Sequence, residues 1–128
     1  LGVRRQRQMC IRDRSTAAVN AVLDVVLEDG FLAKVIETGD YLRAECDKLI
    51  AKYPNVFSSV RGAGLMLGLV AVPPNGDVVA AATENGMLTV PAGDNVVRLI
   101  PPLTIGNTEV DEAIAILDKT AASMAPAQ

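Results

Sequence analysis

Residues 65–72 read Leu-Met-Leu-Gly-Leu-Val-Ala-Val, eight consecutive residues without a charge. A run of that length is far short of the ~18 apolar residues a membrane span requires. Turn formers close it on both sides, Gly62-Ala63-Gly64 before it and Pro73-Pro74-Asn75-Gly76 after it, so it reads as a buried strand. Upstream, Val56-Phe57-Ser58-Ser59-Val60-Arg61 is short, β-branched and aromatic, a second strand joined to the first by a hairpin turn at Gly62 and Gly64. Gly68 inside the apolar run leaves space for a neighbour to approach closely. Downstream, residues 77–85 form an Ala-rich helix closed by Gly86. Two further strands follow, Met87–Val90 and Asn95–Ile100, separated by Pro91-Ala92-Gly93-Asp94 as a tight connection.

Helical periods lie on either side of this strand region. Residues 16–29 carry apolar pairs at 18/19, 22/23 and 26/27, with Gly30 as the stop. A second helix is predicted over about 31–53, with a stripe of Leu32, Val35, Ile36, Gly39, Leu42, Cys46, Leu49, Ile50 and Tyr53; Pro54 ends it. The last helix starts at Thr108, whose hydroxyl can cap the first turn with Asp111 at the capping-box position. Val110, Ala113, Ile114, Leu117 and Ala121 form its buried face. The order α-α-β-β-α-β-β-α predicts an α+β fold, a small and mostly antiparallel sheet with helices on one face.

Composition removes several chemistries. The 128 residues contain no histidine, which excludes Ser-His-Asp and Cys-His nucleophile systems and most zinc sites. Cys10 and Cys46 form no Cys-x-x-Cys pair and read as free thiols of a reducing compartment. With no secretory signal visible, the expected location is cytoplasmic.

The net charge of −3 divides unevenly. Residues 1–14 hold five Arg and one Asp, a net of +4, and residues 15–128 hold 7 Lys+Arg against 14 Asp+Glu, a net of −7. Residues 1–15 are expected to be a non-native or disordered basic head, and VRRQRQMCIRDR resembles translated adapter sequence. No aromatic residue accompanies the arginines, so a nucleic-acid partner is not expected. No membrane partner is expected either.

Two features could carry a ligand. Gly62-Ala63-Gly64-Leu65-Met66-Leu67-Gly68 lacks the G-x-G-x-x-G order of a dinucleotide loop. Arg98, in Asn95-Val96-Val97-Arg98-Leu99-Ile100-Pro101-Pro102, is the only charge between Asp94 and Glu109. Alternation places it on one face with Val96 and Ile100, opposite Val97 and Leu99. It is either an edge-strand arginine reaching water or a guanidinium that grips a carboxylate through two parallel hydrogen bonds. Lys34, Lys48, Lys52 and Lys119 all fall on predicted helices among polar neighbours, and none has the context of a Schiff-base lysine.

Val60-Arg61-Gly62-Ala63-Gly64-Leu65-Met66-Leu67-Gly68, followed by Asn95-Val96-Val97-Arg98-Leu99-Ile100-Pro101-Pro102-Leu103, resembles the C-terminal part of class III aminotransferases. Glu84-Asn85-Gly86-Met87-Leu88 and the closing helix with Glu109-Val110-Asp111 fit the same pattern, and the resemblance covers residues 17–125. These are fold-type I enzymes that use pyridoxal 5'-phosphate. Within the class the chain is most similar to acetylornithine and succinylornithine transaminases.

The resemblance implies a small domain, over residues 16–128, of a homodimeric enzyme that moves an amino group between N-acetylornithine and 2-oxoglutarate in arginine biosynthesis. Its substrates would be amino acids and 2-oxo acids. Arg98 matches the arginine that holds the substrate carboxylate, and Arg61 helps shape the domain beside the site. The family's Schiff-base lysine, the aspartate that pairs with the pyridine nitrogen and the phosphate-binding turn have no counterpart here. The chain is therefore expected to be inactive alone, with no catalytic and no cofactor-binding residue of its own. The alternatives are another class III ω-aminotransferase, of ornithine or 4-aminobutyrate type, and a non-catalytic amino-acid-binding module.

Overall fold

A computed structural model describes residues 15–125. The predicted basic head, with Cys10, lies outside these residues except for Ser15. The chain divides into two compact units, one up to Lys34 and one from Val35 onward.

In the first unit, residues 15–26 are helical (α1); Ala17, Ala18, Ala21 and Leu23 favour the helix, and the four valines among them favour it less. Gly30 stands at φ +88°, in the left-handed region that ends a helical turn. Val22 and Leu27 of this unit are 60% and 69% exposed.

The helix α2 (Phe31–Lys52) crosses into the second unit and stops before Pro54. Four strands follow around one further helix: β1 (Phe57–Ala63), β2 (Met66–Ala71), α3 (Asn75–Glu84), β3 (Val90–Ala92) and β4 (Val96–Leu99). The last helix is α4 (Asn107–Met124). The sheet has the order β1-β2-β4-β3 and every pair is antiparallel. This is the α+β arrangement the sequence predicts.

One face of the sheet carries the core. Leu67, Leu69 and Ala71 of β2 and Val97 and Leu99 of β4 are buried against Leu42, Cys46 and Leu49 of α2, Val78 of α3, and Val110, Leu117 and Ala121 of α4. The alternation that places Val97 and Leu99 inward turns Arg98 outward. In β1 the parity changes once. Phe57 pairs with Ala71 and Ser59 with Val70, leaving Ser58 as an extra residue in a bulge. Phe57 and Val60 can therefore both face the core, and Arg61 comes to the outer face opposite Gly68.

Four details depart from the sequence-based expectation. The hairpin turn lies at Gly64-Leu65 and leaves Gly62 in the strand, because Gly62 and Ala63 still pair with Leu67 and Met66. The third strand is Val90–Ala92 rather than Met87–Val90, and Pro91 sits within it opposite Val97. An edge strand accepts proline because its outer N–H needs no partner. The cap of α4 is supplied by Glu109, whose carboxylate accepts the Gly106 N–H at 3.0 Å, and not by Thr108 with Asp111. The expected α2 stripe is also incomplete, since Leu32 and Ile36 are exposed while Thr38, outside the stripe, is buried; Gly39 is buried as expected. There the contact is made by backbone: a side chain on Gly39 would meet the Gly64 carbonyl carbon at 2.8 Å.

Candidate functional site

The outer sheet face is where sequence and structure bring charge together. Arg61, Gly68 and Arg98 stand in one cross-strand row, with Arg61 opposite Gly68 and Gly68 opposite Arg98. Adjacent strands are separated by ~4.8 Å, so the two arginine backbones lie about 10 Å apart. Gly68 bears no side chain between them. Its space is taken by Val96, whose Cγ1 would lie 2.5 Å from a Cβ at position 68. The row therefore has an apolar floor and a guanidinium at each side.

A shallow depression of about 380 Å³ opens over this row, lined by Arg61, Gly62, Met66, Gly68, Asp94 and Arg98. That volume suits a small polar ligand. Arg61 Nη1 lies 3.5 Å from Asp94 Oδ2, a loose ion pair between exposed groups that contributes little to stability. The Arg98 guanidinium has no ion pair and no hydrogen bond with any described residue. It is exposed, cationic and available, so its fork of donors can take a carboxylate in two parallel hydrogen bonds.

A second cavity, of about 200 Å³, lies between sheet and helices and is lined by Leu42, Met87, Leu99, Ile105, Val110 and Leu117 among others, all of them apolar. It offers no charged group to orient a ligand. Among the described residues there is no cluster of Cys, Asp or Glu able to hold a metal ion, and no helix long and apolar enough to cross a membrane.

The turn before β4 holds a feature that sequence reading missed. Asp94 and Asn95 are both left-handed, at φ +58° and +57°. The Asn95 amide nitrogen donates to the carbonyls of Ala71 at 2.7 Å and Pro73 at 2.8 Å, and its Oδ1 accepts the Asn75 N–H at 2.8 Å. Asn75 returns two bonds, to the carbonyls of Ala92 at 2.8 Å and Val96 at 3.0 Å. The only sequence signal was the pairing of Asp with Asn after Gly93, since these residues tolerate left-handed backbone.

The four lysines are all exposed on helices α2 and α4. Lys48 pairs with Glu45, and Lys52 with Asp118 at 2.6 Å. The Asp118 carboxylate raises the Lys52 pKa above its ordinary value. That shift is the reverse of the one an imine-forming amine needs.

The chain matches the aminotransferase class-III family model over residues 14–121. It is 42% identical over 112 residues to acetylornithine aminotransferase 1 of Bradyrhizobium diazoefficiens, covering 88% of this chain and 28% of that one. It is 47% identical over 103 residues to the acetylornithine aminotransferase of Rhodobacter capsulatus, covering 80% and 26%. Among solved structures it superposes on N-acetylornithine aminotransferase from Stenotrophomonas maltophilia K279a with a TM-score of 0.75 and 31% identity, over 82% of this chain and 30% of that one. The lysine aminotransferase of M. tuberculosis gives 0.74 and 32%, over 81% and 24%. The chain spans about a quarter of the length of the curated relatives it matches. With its sheet, its outer-face arginine and this match over most of its length, the chain belongs to the class-III aminotransferase family.

Proposed function

We propose that this chain serves a pyridoxal-phosphate-dependent, acetylornithine-type aminotransferase as the small domain that grips the substrate carboxylate. The reading rests on one observation above the rest: Arg98, in the Asn95–Leu103 motif, presents on the outer sheet face a guanidinium that no described residue pairs with. The reaction proposed is amino transfer between N-acetylornithine and 2-oxoglutarate. Relatives named acetylornithine aminotransferase support that choice of substrates.

The described residues do not fit the cofactor. Its imine requires a lysine free of ion pairs in a sheltered site, and all four lysines are exposed on helices. No chemical step is therefore assigned to this chain. Its contribution is orientation. A bidentate arginine fixes both the position and the plane of a carboxylate, which lowers the entropic part of the barrier for whatever reacts further along the substrate. On this reading the chain alone catalyses no transamination. The working enzyme is proposed to be cytoplasmic and homodimeric.

The test replaces the matching segment of the Rhodobacter capsulatus enzyme with residues 15–125 of this chain. The chimera is expected to transaminate. Arg98→Ala should then lower kcat/KM for 2-oxoglutarate by roughly 10- to 100-fold, the loss of a charge-assisted bidentate contact of about 1.5–3 kcal/mol. Unchanged kcat/KM in Arg98→Ala would remove the carboxylate role.

A further inference from the structure

Hydrophobic alternation fixes which face of the sheet Arg98 occupies but not its place along the strand. A slip of β4 by one residue would drive Arg98 into the core and expose Val97 and Leu99, which are 0% and 4% exposed. A slip by two residues keeps the pattern intact. Val97 would face Leu67 or Ala71 in place of Leu69, and every apolar residue would still point inward. Arg98 would remain on the outer face yet move by about 7 Å, from Gly68 to Met66 or Val70. A residue that holds a ligand in a fixed orientation cannot tolerate that ambiguity.

We infer that Asn95, seconded by Asn75, is the positioning residue that sets where along the sheet Arg98 stands. Its amide binds two carbonyls and one N–H of the segment 71–75, and its own carbonyl accepts the Ala71 N–H at 2.9 Å. Asn75 holds the same turn from the other side through Ala92 and Val96. Ala71, Pro73 and Asn75 sit at the end of β2 and the start of α3, while Ala92, Asn95 and Val96 belong to the β3–β4 hairpin, so a two-residue slip of that hairpin along β2 would break all of these bonds at once. The left-handed backbone at Asp94 and Asn95 aims the Asn95 side chain back into this knot. Val96 filling the space above Gly68 gives the same register a second lock. The positioning stands on these contacts alone, while its link to a carboxylate rests on the function proposed above.

The experiment uses the full chain, isotopically labelled, with two variants. Asn95→Gly keeps the left-handed backbone accessible and removes only side-chain bonds; Asn75→Ala is milder and leaves the Asn95 bonds to Ala71 and Pro73. Cross-strand proton contacts report which β2 residue lies opposite Arg98, and the Arg98 Nε–Hε signal is titrated with 2-oxoglutarate. The expected result in at least one folded variant is a Met66–Arg98 or Val70–Arg98 contact alongside or in place of Gly68–Arg98. The Arg98 response to 2-oxoglutarate should weaken at least threefold in the same variant. A knot that is merely structural would lower the melting temperature and leave the Gly68–Arg98 contact alone, and that outcome in the folded variants overturns the inference. If the unsubstituted chain shows no Arg98 response while the variants lose the Gly68 pairing, the positioning stands and the carboxylate reading fails.

Discussion

Gly39 is the residue on which the sheet's position under α2 depends most directly. A helix interior ordinarily favours alanine over glycine by about 1 kcal/mol. Here the added methyl would lie 2.8 Å from the Gly64 carbonyl carbon and 2.9 Å from its oxygen. Those atoms belong to backbone, and the neighbouring strands β1 and β2 are paired from Phe57 to Ala71, so they cannot rotate aside. Arg43 donates to the Gly62 carbonyl and holds the same hairpin from one turn further along α2. Overpacking of a fixed contact costs about 1–3 kcal/mol, which exceeds the propensity gain. Gly39→Ala should therefore destabilise the fold by up to about 2 kcal/mol net in urea unfolding, and a stabilised variant would show that the hairpin is free to shift. Gly68→Ala meets a different obstacle, the Val96 methyl at 2.5 Å. A side chain can change rotamer where backbone cannot, so its cost should be the smaller of the two.

At the scale of elements, α2 and α4 are tied across the core's outer edge by two polar links. The Tyr41 hydroxyl donates to Asp111 Oδ1 at 2.6 Å, and Lys52 meets Asp118 at 2.6 Å. The hydrogen bond to Asp111 pushes the Tyr41 pKa up to about 12, with desolvation and the Asp111 and Glu45 charges adding to it. Asp111→Asn removes the charge and weakens the acceptor, so the Tyr41 phenolate should form closer to the usual ~10. Absorbance at 295 nm against pH resolves the change, and an unmoved Tyr41 midpoint would separate it from Asp111. This link also marks where the sequence misleads. Asp111 was expected at the capping box, three residues after Thr108, whereas Gly106 begins the capping geometry and hands that role to Glu109. Element identity and the apolar faces were legible because burial imposes periods of two and 3.6. Boundaries were less so where one residue permits two outcomes: Pro91 fits a turn or an edge strand, and Ser58 becomes a bulge only when the chain satisfies Phe57 and Val60 together. Arg98's face was legible from alternation, but the Asn75–Asn95 knot joins residues twenty apart, which no local pattern encodes.

For the molecule as a whole, alkaline pH probes how firmly the core is closed. Cys46 is fully buried among the residues that join α2 to the sheet and is a free thiol. Burial, with the Asp47 charge beside it, pushes its pKa from 9.0 up to about 12. Between those values an unfolded chain releases the thiol proton while the folded chain retains it. The folded state then binds more protons, so stability falls as pH rises. Below pH 9 neither state is ionised at this site and nothing is lost. Across the window the loss from this one group can reach about 1.4 kcal/mol per pH unit. Cys46→Ala abolishes the dependence and, by leaving a small void, costs on the order of 1 kcal/mol at neutral pH. The unsubstituted chain should therefore be the more stable of the two at pH 7. The two curves should meet near pH 10, and the alanine variant should lead above it. Lysine and tyrosine ionisation acts on both chains equally and cancels in the difference. Denaturant midpoints measured from pH 7 to 11 give the two curves directly. Curves that stay parallel throughout would mean that water reaches Cys46 in the folded chain, and that the core formed by α2 and the sheet opens well before the molecule unfolds.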